Sequence, residues 1–169
     1  MQRSGSPPAI KIREATLADV DRVLPLLVAV AGEGRWIGTE APVDVERRRR
    51  RMVEDVERAD AIVLVAEAGG EPVGQLGLEL TRYGVAELGM LVAAGWRGRG
   101  VGTALMAEAV ERARAAGAHK MALQVWPHNA AAIALYERFG FQREGYLRRH
   151  YRRRSGELWD AVVMGLPLD

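Results

Sequence analysis

The chain switches repeatedly between the two-residue alternation of strands and the three-to-four-residue apolar stripe of helices. Residues 10–13 alternate apolar and charged and predict a short strand. Thr16 follows as the capping side chain of a helix that reaches about Ala31, bent at Pro25 and stopped by Gly32 and Gly34. Residues 43–59 predict a second helix with Val45, Met52, Val53 and Val56 on one stripe. Residues 61–66 (AIVLVA) are a β-branched strand, which the Gly69-Gly70 pair turns into a hairpin with residues 72–80. A turn over residues 82–84 leads to a strand at 86–92. Val101, Leu105, Ala109 and Ala113 mark a third helix that closes at Gly117. A strand at 120–125, a helix at 129–139 and strands at about 141–151 and 157–165 complete the order. Helices and strands mixed in this way predict an α+β fold with a mixed, mainly antiparallel sheet. Residues 1–9 (MQRSGSPPA) read as a disordered leader, leaving residues 10–169 as a single domain.

One stretch adds charge to these signals. Residues 91–105, LVAAGWRGRGVGTAL, follow an apolar run (Leu88, Met90, Leu91, Val92) and place Gly98, Gly100 and Gly102 directly before the third helix. Glycines at alternate positions remove Cβ atoms where a ligand approaches the backbone, and the free N–H groups of a helix start point at an anion. Arg97 and Arg99 interleave guanidinium groups whose fork suits phosphate oxygens. Read as chemistry, this is a pyrophosphate cradle; read as structure, it is a tight strand-to-helix turn with solvated arginines. A nucleotide-binding P-loop is excluded, because Val101 and Gly102 stand where lysine and serine or threonine are needed. A dinucleotide fingerprint begun at Gly98 has Thr103 in place of its third glycine or alanine. What is left is Arg97-x-x-Gly100-x-Gly102.

That remainder resembles the Q/R-x-x-G-x-G/A signature with which the GNAT family of N-acetyltransferases holds the pyrophosphate of acetyl-coenzyme A. The family's second mark has a counterpart downstream, Asn129-Ala-Ala-Ala-Ile-Ala-Leu-Tyr136-Glu-Arg-Phe-Gly140-Phe141, so the resemblance covers nearly the whole chain. It implies a GNAT-like sheet of about seven strands flanked by helices, with two central parallel strands splayed apart and pantetheine lodged between them like a further strand. The implied function is transfer of an acetyl group from acetyl-coenzyme A to a primary amine, on a small molecule, an amino acid or a protein N-terminus, by direct attack in a ternary complex. Relatives of this kind are often dimers, which makes a homodimer the default expectation.

Residue by residue, the resemblance gives Leu91 and Val92 as backbone partners of pantetheine, with the Val92 amide as oxyanion donor. Arg97, Gly98, Arg99, Gly100, Gly102 and Thr103 would surround the pyrophosphate. Asn129 would cap its helix and contact pantetheine. Tyr136 matches the tyrosine that in many relatives protonates the coenzyme A thiolate; by spacing alone, with Ile133 and Gly140 on its face, it reads as core. Glu87 sits on the strand where some relatives carry a general base. Its separation from Val92 is odd, however, so alternation turns the two to opposite faces unless a bulge intervenes. Glu79, a water chain to Glu87, or no dedicated base are the alternatives. The acceptor side would comprise Trp36, Tyr83, His150, Tyr151 and the turn at 152–156, whose arginines favour an acidic group on the substrate or read, more commonly, as a solvated hairpin tip. Trp36 reads equally well as a loop tryptophan covering the edge of the core. His119, His128 and His150 share no metal-ligand spacing, so no metal is expected.

Composition narrows the alternatives. A chain of 169 residues, 49% hydrophobic, holds one well-buried core and not two. Its 24 basic and 22 acidic residues nearly balance, which argues little for nucleic acid. The five arginines at 47–51 are matched by Glu46, Glu54 and Asp55 and read as a solvated helix face. RNA binding would need aromatics interleaved with basic residues, and there are only two Phe and four Tyr, so no nucleic-acid partner is expected. The absence of cysteine excludes disulfide frameworks, cysteine nucleophiles and thiolate metal sites. No apolar run approaches a membrane span and no signal-peptide core opens the chain, so the expected setting is cytoplasmic, without a membrane partner. The competing function is a non-catalytic acyl-coenzyme A-binding sensor or interaction module, which loss of Tyr136 would have favoured.

Overall fold

Seven strands and four helices follow in the order β1 (Ile10–Glu14), α1 (Leu17–Gly32), α2 (Val45–Glu57), β2 (Ala61–Ala68), β3 (Glu71–Leu80), β4 (Val85–Val92), α3 (Val101–Ala115), β5 (Lys120–Val125), α4 (Ala130–Arg138), β6 (Gln142–Arg152) and β7 (Leu158–Pro167). The structure, a computed structural model, describes residues 6–169. The first five residues of the expected leader lie outside the described residues; residues 6–9 are irregular and exposed. All seven strands form one sheet in the order β1-β2-β3-β4-β5-β7-β6, antiparallel at every junction except β4–β5. The architecture is the expected α+β one. Among the described residues no helix is long and apolar enough to cross a membrane.

Strand alternation feeds an apolar layer on each face of this sheet. Leu64 and Ala66 of β2, Leu76 and Leu78 of β3 and Ala86 of β4 pack with Val101, Leu105, Met106, Ala109 and Ala113 of α3, joined by Ile133, Leu135 and Tyr136 of α4. Val65 faces the other way, against Val20, Val23 and Leu24 of α1 and Met52 of α2. Each of the valine, leucine, isoleucine and methionine side chains, fully buried, contributes about 1.5–3 kcal/mol, and each alanine methyl about 0.8. Gly102 sets how closely two helices meet: a Cβ there would lie 2.9 Å from Leu135 Cδ2.

The helix starts differ from the periodicity in detail. At α1, Asp19 completes a capping box with Thr16 by accepting the Thr16 N–H at 2.8 Å, and the helix continues through Pro25. Helix α2 begins two residues late, because Asp44 caps it by accepting the Arg47 N–H at 3.0 Å. Val45 is exposed and does not belong to the buried stripe, which Met52, Val53 and Val56 form. The arginine run is not one solvated face either. Arg49 pairs with Asp21 of α1, Arg51 with Asp55, and Arg48 turns inward to line a cavity.

The junction of β4 and β5 positions the site. The two strands pair only at Val85–Lys120, Ala86–Met121 and Glu87–Ala122, while β4 runs on to Val92 and β5 to Val125. Beyond Glu87 they part and leave a gap. Ala93 donates to the Val73 carbonyl and Thr81 to that of Val85, so odd-numbered residues of β4 turn their backbone groups toward β3. Leu88, Met90 and Val92 therefore direct theirs into the gap.

Candidate active site

A cavity of about 610 Å³ fills the gap, walled by Met90, Leu91 and Val92 of β4, the loop from Trp96 to Thr103, and Asn129, Leu135 and Tyr136 at α4. The loop takes left-handed backbone at Gly98 (φ 72°) and Gly100 (φ 87°), a conformation that side chains with a Cβ rarely adopt. The first helical bond of α3 runs from Ala104 to the Gly100 carbonyl. The N–H groups of Val101, Gly102 and Thr103 are thus free for a ligand, at the positive end of a 15-residue helix. Space beside Gly98 and Gly100 is open to 4 Å. Free donors, helix dipole and open backbone together fit a pyrophosphate.

The two arginines of this loop behave differently from each other. Arg97 donates to both Glu33 oxygens at 2.7 and 2.8 Å and from Nε to the Val92 carbonyl at 3.2 Å, and its guanidinium lies 5.4 Å from the Trp36 ring centroid. Glu33 also accepts from Trp36 Nε1 at 2.7 Å, and the Arg97 cation holds its carboxyl below the usual range. Arg97 thereby fastens the α1–α2 loop to the rim of the gap. Arg99 is exposed, stacks 5.3 Å from the Trp96 ring and does not line the cavity. The reading of Leu91 is corrected: its side chain lines the cavity, but its backbone pairs with β3, so Met90 and Val92 supply the backbone groups.

Asn129 caps α4 by accepting the Ala132 N–H at 3.3 Å and lines the same cavity. Tyr136, 6% exposed, leans on Phe141 with ring centroids 5.7 Å apart, yet it also borders the cavity. Among the described residues its hydroxyl has no hydrogen-bond partner, and burial pushes its pKa up to about 12. At neutral pH it keeps its proton and can only donate it.

A second cavity, about 340 Å³, lies on the α1 and α2 face and meets the first at Ile37, Met90 and Leu91. Its floor is the cross-strand pair Gly77–Gly89, with open space above both. The next pair on the same face, Glu79–Glu87, borders it, and α2 adds Arg48, Arg51 and Asp55. The β3–β4 register is unbroken, so no bulge intervenes, and the Glu87 and Val92 side chains do face opposite sides of the sheet. That parity is no obstacle. The Val92 N–H lies in the plane of the sheet, at the gap, and Glu87 stands where the gap closes.

Tyr83, His150 and Tyr151 are brought to neither cavity. Tyr83, 69% exposed under the Arg82 guanidinium, occupies the β3–β4 turn, at the opposite end of β4 from the glycine loop, roughly 25 Å away at about 3.3 Å per residue. His150 is exposed where β6 loses register with β7 between Leu147 and Tyr151. The Tyr151 hydroxyl is held by Gln124 and its ring stands edge-on to Trp126 at 5.2 Å. Trp36 lines the larger cavity and not the smaller. The hairpin acts instead through Arg153, 7% exposed between Trp126 and Trp159 at 5.3 and 4.3 Å. Arg153 pairs with Glu40 at 3.4 Å and donates to the Gly38 carbonyl at 3.2 Å, pinning the α1–α2 loop over the cavities.

The family model for the acetyltransferase (GNAT) family matches residues 33–141, a span that holds both the glycine loop and α4. The chain belongs to the GNAT family. The L-methionine sulfoximine/L-methionine sulfone acetyltransferase of Pseudomonas paraeruginosa is 31% identical to it over 163 residues, covering 94% of each chain. The crystal structure of the ribosomal-protein-alanine N-acetyltransferase of Brucella melitensis superposes with a TM-score of 0.84 at 32% identity, over 94% of this chain and 99% of that one. The Salmonella typhimurium structure of yncA with its cofactor acetyl-coenzyme A has the same fold, with a TM-score of 0.82 at 24% identity over 95% of both. This GNAT chain is accordingly an N-acetyltransferase, moving an acetyl group to an amine.

Four features around the two cavities are not predicted by the sequence patterns: Glu33 bonded to Arg97, the Met90 backbone turned into the gap, Arg48, and the Gly77–Gly89 floor. Only the floor had a local signal. Counting outward from the β3–β4 turn, with Thr81 opposite Val85, sets 77 against 89.

Proposed function

We propose that residues 10–169 act as one domain transferring acetyl from acetyl-coenzyme A to a primary amine, by direct attack in a ternary complex. The observation that carries this reading is the parted β4–β5 pair, with an anion-ready glycine loop at its open end and a carboxylate-lined cavity at its closed end. Gly98, Gly100, Gly102 and Thr103 would hold the pyrophosphate, Arg97 would lie at the rim, and Met90, Val92 and Asn129 would follow the pantetheine arm. When bound, acetyl-coenzyme A supplies the thioester carbonyl. The Val92 or Met90 N–H then stabilises the oxyanion. Glu87, or water beside it, takes a proton from the ammonium, and the amine lone pair forms the C–N bond as the C–S bond breaks. Tyr136 would donate its proton to the departing sulfur and regain one, through water, as the nitrogen gives up its second proton in forming the amide. One amine and one thioester thus give one amide and one thiol. Trp36 and Ile37 would close the loop side where the two cavities meet.

The test is thermal unfolding with acetyl-coenzyme A, ATP or NAD, followed by thiol release with a panel of amines. At about a hundred times its dissociation constant a ligand stabilises by roughly 2.7 kcal/mol. The expected result is a shift with acetyl-coenzyme A alone, and thiol release with at least one amine. A shift without release from any amine would instead support the binding-module reading.

A further inference from the structure

The charges around the smaller cavity do not all cancel. Glu79 and Asp55 are shared between two guanidiniums: Arg51 lies 3.2 Å from Asp55 and 3.7 Å from Glu79, and Arg58 lies 3.6 and 3.0 Å from the same two. Arg48 and Glu87 are left over, and among the described residues neither forms an ion pair. Arg48 Nε is buried without a hydrogen-bond partner. That Nε has no surface a ligand could reach, but the guanidinium keeps its charge, and its terminal N–H groups, which make no hydrogen bond among the described residues, are the donors open to the cavity. One unpaired cation and one unpaired anion therefore border a single hollow.

The shape of that hollow limits what can enter. Its volume of about 340 Å³ sits at the small end of ligand pockets, which run from about 300 to 1,000 Å³. The Gly77–Gly89 floor is bare, Leu27 and Ile37 offer apolar wall, and the loop above is held down by Arg153. Glu87 marks the closed end of the gap, where an amine must come to meet a thioester.

We infer that this cavity selects α-amino acids, with Arg48 taking the α-carboxylate and Glu87 the α-ammonium. The inference rests on the smaller cavity being the acceptor side of the proposed reaction. A zwitterion satisfies both leftover charges at once. A polyamine would set a second cation against Arg48, and a peptide N-terminus would offer it a neutral amide while needing a path for the chain that follows. Arg48 is then a specificity-determining residue, and α2, which carries it, is the element that reads the substrate.

The experiment measures thiol release with each of the twenty L-amino acids, their α-amides, spermidine and an alanine-led tripeptide. Wild type should use at least one amino acid with kcat/KM about 30- to 100-fold above its amide, the ratio expected for losing one buried charge pair. In Arg48→Met, KM for that amino acid should rise by a similar factor with kcat changing far less, while the thermal shift with acetyl-coenzyme A stays at the wild-type value. That shift also reports that the variant is folded, and the wild-type comparison of acid with amide stands without the variant. Equal use of acid and amide, preference for the tripeptide or spermidine over every amino acid, or an unchanged KM in Arg48→Met would each overturn the inference. With the acetyl-coenzyme A shift intact, such a result leaves the acetyltransferase reading standing; loss of both shift and thiol release overturns the two together.

Discussion

The Tyr136 ring is buried, while its hydroxyl, unpartnered among the described residues, opens to the cavity proposed to hold the thioester. Its pKa, raised to about 12, keeps it protonated through the neutral range, so its service as a donor needs no further titration. Tyr136→Phe should therefore lower kcat by about 100-fold. The acetyl-coenzyme A thermal shift should persist, and no new limb should enter the pH–rate profile below pH 9. Unchanged kcat would return Tyr136 to the core, the role its contact with Phe141 also fits. Residues such as Tyr136 and Asn129 are legible because their motif is local. Arg97 was legible only as a cation near glycines; its partner Glu33 lies 64 positions away in sequence, and nothing near Arg97 announces it.

At the scale of elements, hydrophobic period located the strands and helices that bury one face against the sheet or a helix layer; β6, with no residue fully buried and none packed against either core, is the exception. What period does not describe is how loops are fastened. The arginines of the β6–β7 turn read as an acid-binding or solvated tip, yet Arg153 is enclosed by two tryptophans and fixed to Glu40, and Arg154 donates to Glu40 and to the Pro42 carbonyl. These bonds join residues more than a hundred positions apart. Arg153→Met keeps the apolar stem but removes the guanidinium that stacks on the two tryptophans, leaves Glu40 only the Arg154 N–H, and leaves two loop carbonyls unsatisfied. It should destabilise by about 1–3 kcal/mol in urea unfolding. Since the clamp covers the acceptor side, KM for the amine should rise more than KM for acetyl-coenzyme A. Equal changes in both constants would mean that the loop only supports the fold.

Across the whole molecule, the site lies mid-sheet while the edge at β1 is secured by charge. Arg13 of β1 bonds Asp19 of α1 through both oxygens at 2.7 Å and Glu67 of β2 at 2.5 Å, and Arg22 joins both carboxylates at 3.1 Å. Asp19, 2% exposed, is held far below the usual carboxylate range, first by Arg13 and also by the Thr16 N–H; Glu67 is lowered by Arg13 and Arg22. Carboxyls depressed in the folded state stabilise it fully above their unfolded values, about 3.9 and 4.3, and lose that contribution as pH falls below them. The stability they add should be flat from about pH 6 upward and decline steadily under pH 4. Asp19→Asn, which removes one of the two carboxylates bonded to Arg13 and leaves it Glu67 alone, should cost about 1.5–3 kcal/mol at pH 7. Urea unfolding from pH 7 to pH 2 should show that deficit shrinking below about pH 4, as Asp19 of the unfolded chain takes up a proton that the folded chain does not. Because β1 is three strands from β4, kcat per folded molecule at pH 7 should not move. A deficit that is constant with pH would place the effect in the capping of α1 and not in the charge network.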